Sequence, residues 1–462
     1  MEKAKNLTTR LLTYFDSDIL TTKQFMDIYL PLCWEQLFFA FVPMVGTWLI
    51  SGEGETAVSA VSMVNTFNFL FTQTCMSFGI GGNVMVAQYI GAQNPRLASK
   101  SLQQTMSFSA LLGIVISATL LFSGKFIVDF FMEGAPPAVL DIALDYFRGI
   151  SISLPFFALY QGFAGSMRGW GRTKTALRLT LSVNCMEIAF SALFVLVMRL
   201  GVAGISAAMI ASRVLGSLIA IVYIIRNRSE LSLEIGDFFH PIWAILKGLI
   251  RVAVPVALEQ VFFHSGKAFT QRFIASYGTT HMVANAVSTV VTNFGIAPNN
   301  AMSSATLTVV GMSIGRERID LAKDYTVKFV RSISIFCVLV IIPMIPFTLL
   351  MVWLYQVTAE AARLTYLTVG VFFGFAPLFV GRSSMTSSAL RAGGDAIYTS
   401  TVSLCSMWCV RVLLAYFFTR VLTWGVVGVF FAMALEWGMR GVLFNARFKK
   451  EKWYQHKLIV RE

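Results

Sequence analysis

The sequence predicts an all-α integral membrane protein: twelve transmembrane helices in two six-helix lobes related by an internal repeat. Three observations predict it. The first is composition. Of 462 residues, 56% are hydrophobic and 13% are charged, and the mean hydropathy is +0.69. Soluble domains carry about 25% charged residues, so water is not the main solvent of this chain. The second is the alternation of basic and non-basic connections between apolar runs. The third is a set of landmarks that recurs at one fixed offset.

A helix crosses a bilayer with roughly 20 mostly apolar residues, and twelve segments meet that need. Span 1, near 25–50, holds PLCWEQLFF (31–39) and stops at the polar SGEGET stretch. Span 2, near 58–89, ends at QYIGAQNPRLA (88–98). Span 3, near 101–131, contains the continuous apolar run Thr105–Phe122. Span 4, near 139–166, ends at SMRGWGRTK (166–174). Span 5, near 176–198, closes with Ile188–Met198, and span 6, near 203–225, is dominated by Ala207–Ile225. The polar stretch Arg226–Phe239 follows as the longest connection. Span 7, near 248–275, holds PVALEQVFF (255–263). Span 8, near 283–313, ends at MSIGRERIDLA (312–322). Span 9, near 325–355, contains Ile333–Tyr355. Span 10, near 361–389, ends at ALRAGGDAI (389–397). Spans 11 and 12, near 397–420 and 425–447, complete the set before the tail FKKEKWYQHK. The expected organisation is an N-lobe at 1–225, a cytoplasmic linker at 226–247, a C-lobe at 248–447 and a cytoplasmic tail at 448–462. The N-terminal MEKAKNLTTRLLTYFDSD is charged and polar and lacks a cleavage site of small residues. It reads as a short cytoplasmic amphipathic piece in place of a signal peptide.

The formal net charge of +13 is explained by topology. Lys and Arg accumulate in cytoplasmic loops. One set of connections holds Arg96 and Lys100; Arg168, Arg172, Lys174 and Arg178; Arg226, Arg228 and Lys247; Arg316, Arg318, Lys323 and Lys328; Arg391; and the basic tail. The other set holds Glu53, Glu55, Glu133, Asp141, Arg199, Glu360, Arg363 and Arg420, with no charge near Ser276–Thr280. The basic set is cytoplasmic, so both termini face the cytoplasm and the number of spans is even. No nucleic-acid partner is expected. The partners expected are the lipid bilayer and small organic substrates, and the chain is expected to be a monomer.

The repeat is read from four ordered landmarks. Glu35 and Glu259 differ by 224 positions (259 − 35), as do Gly54 and Gly278, and Gly91 and Gly315. Arg168 and Arg391 differ by 223. Such ordered self-similarity is an internal duplication. Six helices are an even number, so the halves enter the membrane with the same orientation and form a parallel repeat. Two bundles of this kind leave a cleft, and rocking one against the other opens it to alternate sides.

At these motifs the chain resembles the MATE family, the multidrug and toxic compound extrusion transporters, bacterial type. The residues that carry the resemblance are Gly54 with Ala57–Val61, VAQYIGAQNPRLA, SMRGWGRTK, LGVAGISAAMIASR and their second-half counterparts. The resemblance implies twelve helices in two lobes around a V-shaped central cavity. It implies cation-coupled export of xenobiotics by antiport of H⁺ or Na⁺, substrates that are organic cations or amphipathic drugs, no further cofactor, and a bacterial cytoplasmic membrane. The sequence departs from the family's acids. Gly46 stands where span 1 of many members has Asp, Phe263 stands where one branch has Glu in span 7, and span 10 offers Arg382 in place of Asp. Where members show Asn-x-x-x-Asp in span 5, this chain offers Asn184 and Glu187.

An ionisable group within a span costs roughly 2.5–3.5 kcal/mol on insertion scales and marks function or pairing. Glu35 and Glu259 occupy matched places, each followed by an amide (Gln36, Gln260) and an aromatic pair, and each preceded by a proline that frees a backbone carbonyl. They are the first candidates for cation coupling, with Glu187 and Asn184 next. Gln36, Gln260, His264, Lys267, Phe39, Phe263 and Arg382 are candidates for the substrate cavity. Glu187 and Arg411 stand 224 apart (411 − 187) with opposite charge. Each is expected to pair within its own lobe, Glu187 with Arg213 and Arg411 with Glu436. The six cysteines all lie in apolar runs and read as free thiols, and no metal site is expected. Neither a GK[ST] phosphate loop nor a cluster of nucleophile and base is present, so the protein is not expected to be an enzyme. The alternative to drug efflux is a flippase or exporter of a lipid-linked saccharide from the same superfamily.

Overall fold

The computed structural model describes residues 14–50, 55–131, 136–231, 235–238, 240–456 and 458–459. Most of the amphipathic N-terminal piece, together with Glu53, Gly54 and Glu133, lies outside the described residues. In hydrocarbon every backbone polar group must be bonded internally, which leaves helices as the local solution for apolar segments of this length. Twelve long helices form among the described residues. They are α1 (Thr22–Ile50), α2 (Glu55–Gly91), α3 (Pro95–Phe131), α4 (Pro137–Gly169), α5 (Thr173–Val197), α6 (Gly201–Arg226), α7 (Trp243–Ala275), α8 (Thr279–Gly315), α9 (Ile319–Leu354), α10 (Ala359–Ala392), α11 (Ala396–Val421) and α12 (Gly425–Lys449). A 3-10 turn at Ile235–Phe238 lies between α6 and α7.

All the helices but α12 begin a few residues before their apolar segments. Helix α9 starts at Ile319, six residues (325 − 319) before the segment at 325–355. Its first turns carry Asp320, Lys323, Asp324 and Lys328. At about 1.5 Å per residue a 36-residue helix is far longer than the bilayer core of about 30 Å, so its charged end lies beyond the hydrocarbon. Among the described residues, eight of the helices are long and apolar enough to cross a membrane by length and composition. Helices α2, α7 and α8 are more polar: Asn65, Asn68, Gln73 and Thr74 lie on α2, Asn285, Asn293, Asn299 and Asn300 on α8, and Lys247, Arg251, Glu259, Lys267 and Arg272 on α7.

The duplication is reproduced hydrogen bond for hydrogen bond. Helix α2 is closed by Asn94 N–H donating to Tyr89 O at 3.0 Å, and α8 by Arg318 N–H donating to Ser313 O at 3.0 Å. These are the six-to-one closures that end many helices. Each needs a left-handed residue, found at Gln93 (φ 57°) and at Glu317 (φ 61°). The α4–α5 turn (Arg172 N–H to Met167 O) recurs at α10–α11 (Asp395 N–H to Leu390 O), with Gly171 and Gly394 at φ 80° and 89°. The π-helical turn Leu193–Val197 ends α5, and Phe417–Val421 ends α11, 224 residues on (417 − 193).

The helices fall into two contact units. One holds the chain up to Gln36 with Leu258–Leu458; the other holds Leu37–Ala257 and the residues from Ile459. The expected lobe boundary lay in the linker between α6 and α7. The contact units instead divide inside α1 and inside α7, so each of these helices contributes its N-terminal turns to the other half's unit.

In the second-half unit, the segment before α1 is tied to α9. Phe15, Phe25 and Phe329 form an aromatic cluster with centroids 4.2–5.5 Å apart. Ser17 bonds the Tyr325 hydroxyl, and Arg318 reaches Asp18 at 3.0 Å. The unit's core is a cluster of Val287, Val291, Phe372, Phe373, Phe430 and Trp437 from α8, α10 and α12. The basic tail folds back on the α10–α11 turn. Trp453 is fully buried, and Arg447 donates to Asp395 at 2.7 Å.

In the first-half unit, α2 and α4 approach so closely that only glycine fits. A Cβ on Gly165 would lie 2.1 Å from the carbonyl oxygen of Gly79. The first turns of α7 pack on α2 and α3 through Ala253, Ala257, Phe78 and Phe108. The described part of the linker lies along α3. Gln104 bonds His240 O at 2.9 Å and the Ile242 amide at 3.2 Å, and Ser107 bonds Phe238 O at 3.0 Å.

Candidate functional site

Glu259 sits one helical turn after Pro255 in α7 and is 6% exposed. A terminal guanidinium nitrogen of Arg391, in the last turn of α10, donates to both of its oxygens, at 2.9 and 2.6 Å. Ser400 on α11 donates to Oε2 at 2.9 Å. Arg440 on α12 lies 4.0 Å from Oε1 and also pairs with Glu436 at 3.2 Å. Ser406 completes the chain by donating to Glu436 Oε1 at 3.1 Å. This buried network ties together α7, α10, α11 and α12. A carboxylate with both oxygens engaged by a guanidinium and a hydroxyl is held in one state, whereas coupling needs a group that alternates. Arg391 as the partner is not announced by any local pattern, since its charge equally suits a cytoplasmic connection.

Neither pair expected from the sequence closes within 4 Å among the described residues, although the members of each stand within electrostatic reach. Arg411 stands within electrostatic reach of Glu436 but makes no ion pair with it within 4 Å among the described residues; Glu436 Oε1 pairs with Arg440, its neighbour four positions on. That spacing puts both on one helix face and was readable from sequence. Glu187 and Arg213 lie within electrostatic reach of each other but form no ion pair within 4 Å among the described residues. Arg213 is buried, donates to Ser153 Oγ at 2.7 Å and stacks over Phe157 at 4.7 Å.

Glu187 is left half-buried in α5, with no hydrogen bond or ion pair among the described residues. Asn184, one turn earlier, is buried, and its Nδ2 has no partner. The Tyr146 hydroxyl, which donates to Asn65 Oδ1 at 2.9 Å, is also within electrostatic reach of Glu187. Buried polar atoms without partners are uncommon. A carboxylate, a free amide and a guanidinium that leaves the carboxylate unpaired make a place where a proton or a sodium ion could be exchanged.

The other expected residues are distributed as follows. Glu35 is buried in α1. Gln36, Phe39, Gln260, Phe263 and His264 are half-buried, and Lys267 and Arg382 are exposed. Phe263 touches the edge of His264 at 5.8 Å and lies under the Arg411 guanidinium at 5.7 Å. Gly46 is helical, as the span-1 reading required. The six cysteines are free thiols, and no group of three metal-ligating side chains occurs among the described residues.

A profile of the MatE family matches residues 31–193 and again 255–417, segments that start 224 apart (255 − 31). An uncharacterized transporter, YisQ of Bacillus subtilis, is 24% identical over 434 residues, spanning 92% of this chain and 93% of its own. A probable multidrug resistance protein, NorM of Thermotoga maritima, is 24% identical over 453 residues, 95% of each chain. Among solved structures, a MOP superfamily transporter from Pyrococcus furiosus superposes with a TM-score of 0.84 at 19% identity, covering 96% of this chain and 97% of that one. A multidrug resistance MATE family transporter in its outward-facing conformation gives 0.85 at 20%, covering 93% and 96%.

Proposed function

Because the chain belongs to the MatE family of membrane transporters, we propose that it exports small organic amphiphiles by antiport against an inward-moving cation, H⁺ or Na⁺, through alternating access. The membrane proposed is the bacterial cytoplasmic membrane, with both termini inside, as the basic connections require. The observation that carries the mechanism is Glu187, a half-buried acid without a fixed counter-ion, beside the free Nδ2 of Asn184. Antiport requires that cation and substrate bind in mutual exclusion, since otherwise the gradient does no work on the substrate. Glu187 suits that role because it has no fixed partner to give up. Glu259 does not suit it, and the matched, buried Glu35 is read likewise as a structural acid.

The test is export of a fluorescent amphiphile from proteoliposomes under an imposed pH gradient or an imposed Na⁺ gradient, comparing the unmutated chain with Glu187→Gln. Glutamine keeps size and hydrogen bonding but binds neither cation. The expected result is that Glu187→Gln still equilibrates the dye and no longer responds to either gradient. An unchanged gradient response would remove Glu187 from the mechanism.

A further inference from the structure

The second-half unit gathers more cations than acids on α7, α10, α11 and α12. Four cations, Lys267, Arg391, Arg411 and Arg440, face two acids, Glu259 and Glu436. Glu259 is bonded through both oxygens to Arg391, and Glu436 through Oε1 to Arg440, while Glu436 Oε2 has no partner among the described residues. Lys267 and Arg411 remain. They are neighbours through Phe263, which lies 5.7 Å under the Arg411 guanidinium and one turn before Lys267 on the same face of α7. The two helices are in close contact there, since a Cβ on Gly266 would lie 2.8 Å from Met407.

The donors at this place lack acceptors. Arg411 is 6% exposed, and its Nε has no partner. Trp408, one turn earlier on α11 and 6.1 Å from Phe269, has a buried Nε1 with no partner. The Lys267 ammonium makes no hydrogen bond or ion pair among the described residues and is exposed. Glu436 is the acid within electrostatic reach of Arg411 among the described residues; Arg440 and Ser406 bond its Oε1, and it makes no hydrogen bond to Arg411. Lys267 lies eight residues (275 − 267) from the end of α7, about 12 Å along the axis. Unpaired donors within a membrane-spanning region mark a ligand pathway, and donors without acceptors, among aromatic rings, select a negatively charged amphiphile.

We propose that Lys267, Arg411 and Trp408 form a site for the oxyanion of an amphipathic organic anion, with Phe263 and Phe269 against its apolar part. This deepens the export reading and rests on it for the direction of transport, but not for binding. The chemistry named is a carboxylate, sulfonate or phosphate group on an apolar body. A dissolved organic anion and an anionic lipid headgroup both supply it.

The experiment uses the full chain in detergent with phosphatidylcholine, and follows the fluorescence anisotropy of two probes, the anion fluorescein and the cation ethidium. Lys267 is exposed, so its variants keep the fold, which a thermal midpoint checks. Fluorescein is expected to bind the unmutated chain. Lys267→Gln should weaken it about tenfold or more, the worth of a charge-assisted hydrogen bond. Lys267→Glu should abolish binding, and Lys267→Arg should retain most of it. Titrating phosphatidylglycerol separates the two sources: competition with fluorescein that depends on Lys267 shows that the site also takes a headgroup, and no competition assigns it to dissolved anions. The proposal is overturned if fluorescein fails to bind, if ethidium alone binds, or if Lys267→Gln and Lys267→Glu bind fluorescein as the unmutated chain does. Lys267-dependent binding without gradient-driven fluorescein efflux from proteoliposomes would leave this site standing and remove the export reading.

Discussion

Glu259→Gln removes one charge from a buried network and leaves the others in place. Glu259 and Arg391 have side chains 6% and 12% exposed, so water does not replace the lost partner. The substitution strands the Arg391 guanidinium and weakens the hold on Arg440, which has Glu436 alone as a counter-charge. Breaking a buried ion pair from one side costs about 3–5 kcal/mol, and removing both charges together is close to neutral. Unfolding entropy is about 2 cal/mol/K per residue, so for 462 residues that cost is a fall of about 3–5 °C in the thermal midpoint. The assay is thermal unfolding in detergent of Glu259→Gln, Arg391→Gln and the double variant. Each single variant is expected to fall by that amount, and the double to lie above the sum of the two. A Glu259→Gln variant that keeps the unmutated midpoint and loses gradient-driven export would show that Glu259 is the coupling acid and not a structural one.

Other outcomes follow from the same geometry. Gly165→Ala places a Cβ on the fixed Gly79 carbonyl and should cost about 3 kcal/mol or more, read as loss of folded protein. Gly374→Ala, where nothing lies within 4 Å, should stabilise α10 by about 0.5–1 kcal/mol; equal midpoints for the two variants would contradict the packing described. A cysteine at Arg228 should react with an impermeant thiol reagent only from the cytoplasmic side and one at Thr280 only from outside, and the reverse would invert the topology. The Lys323 ammonium holds the Glu451 carboxyl below the usual carboxylate range. The stability this bridge gives is present above that range and lost as the pH falls through the lowered value. The midpoint gap between the unmutated chain and Lys323→Gln should therefore narrow below about pH 4, and a gap that widens on acidification would contradict the pairing.

The twelve helices and the duplication were legible because apolar length and a fixed offset are properties of the sequence itself. The offset that matched Gly91 to Gly315 also matches Gln93 to Glu317 in backbone conformation, which the residue types alone do not announce. The charge network was legible only in part. Glu436 and Arg440 share a face by spacing, but Glu259 and Arg391 meet across 132 positions (391 − 259), and no local pattern reports such a contact. Pairing Glu187 with Arg213 rests on charge alone, and no local pattern announces that Arg213 instead bonds Ser153 and stacks over the Phe157 ring. Of the helices that hold the network, α10, α11 and α12 are plainly apolar spans, and α7 is the polar one.

Coupling of cation and substrate movements is reciprocal, so it is measurable with no imposed ion gradient. Proteoliposomes are loaded with fluorescein or ethidium, diluted into dye-free buffer, and followed by an internal pH indicator and by radioactive Na⁺ uptake. The outward dye gradient is expected to drive one of the two cations inward, and Glu187→Gln to abolish that uptake while dye still leaves. Dye efflux from the unmutated chain with no inward movement of either cation would rule out antiport.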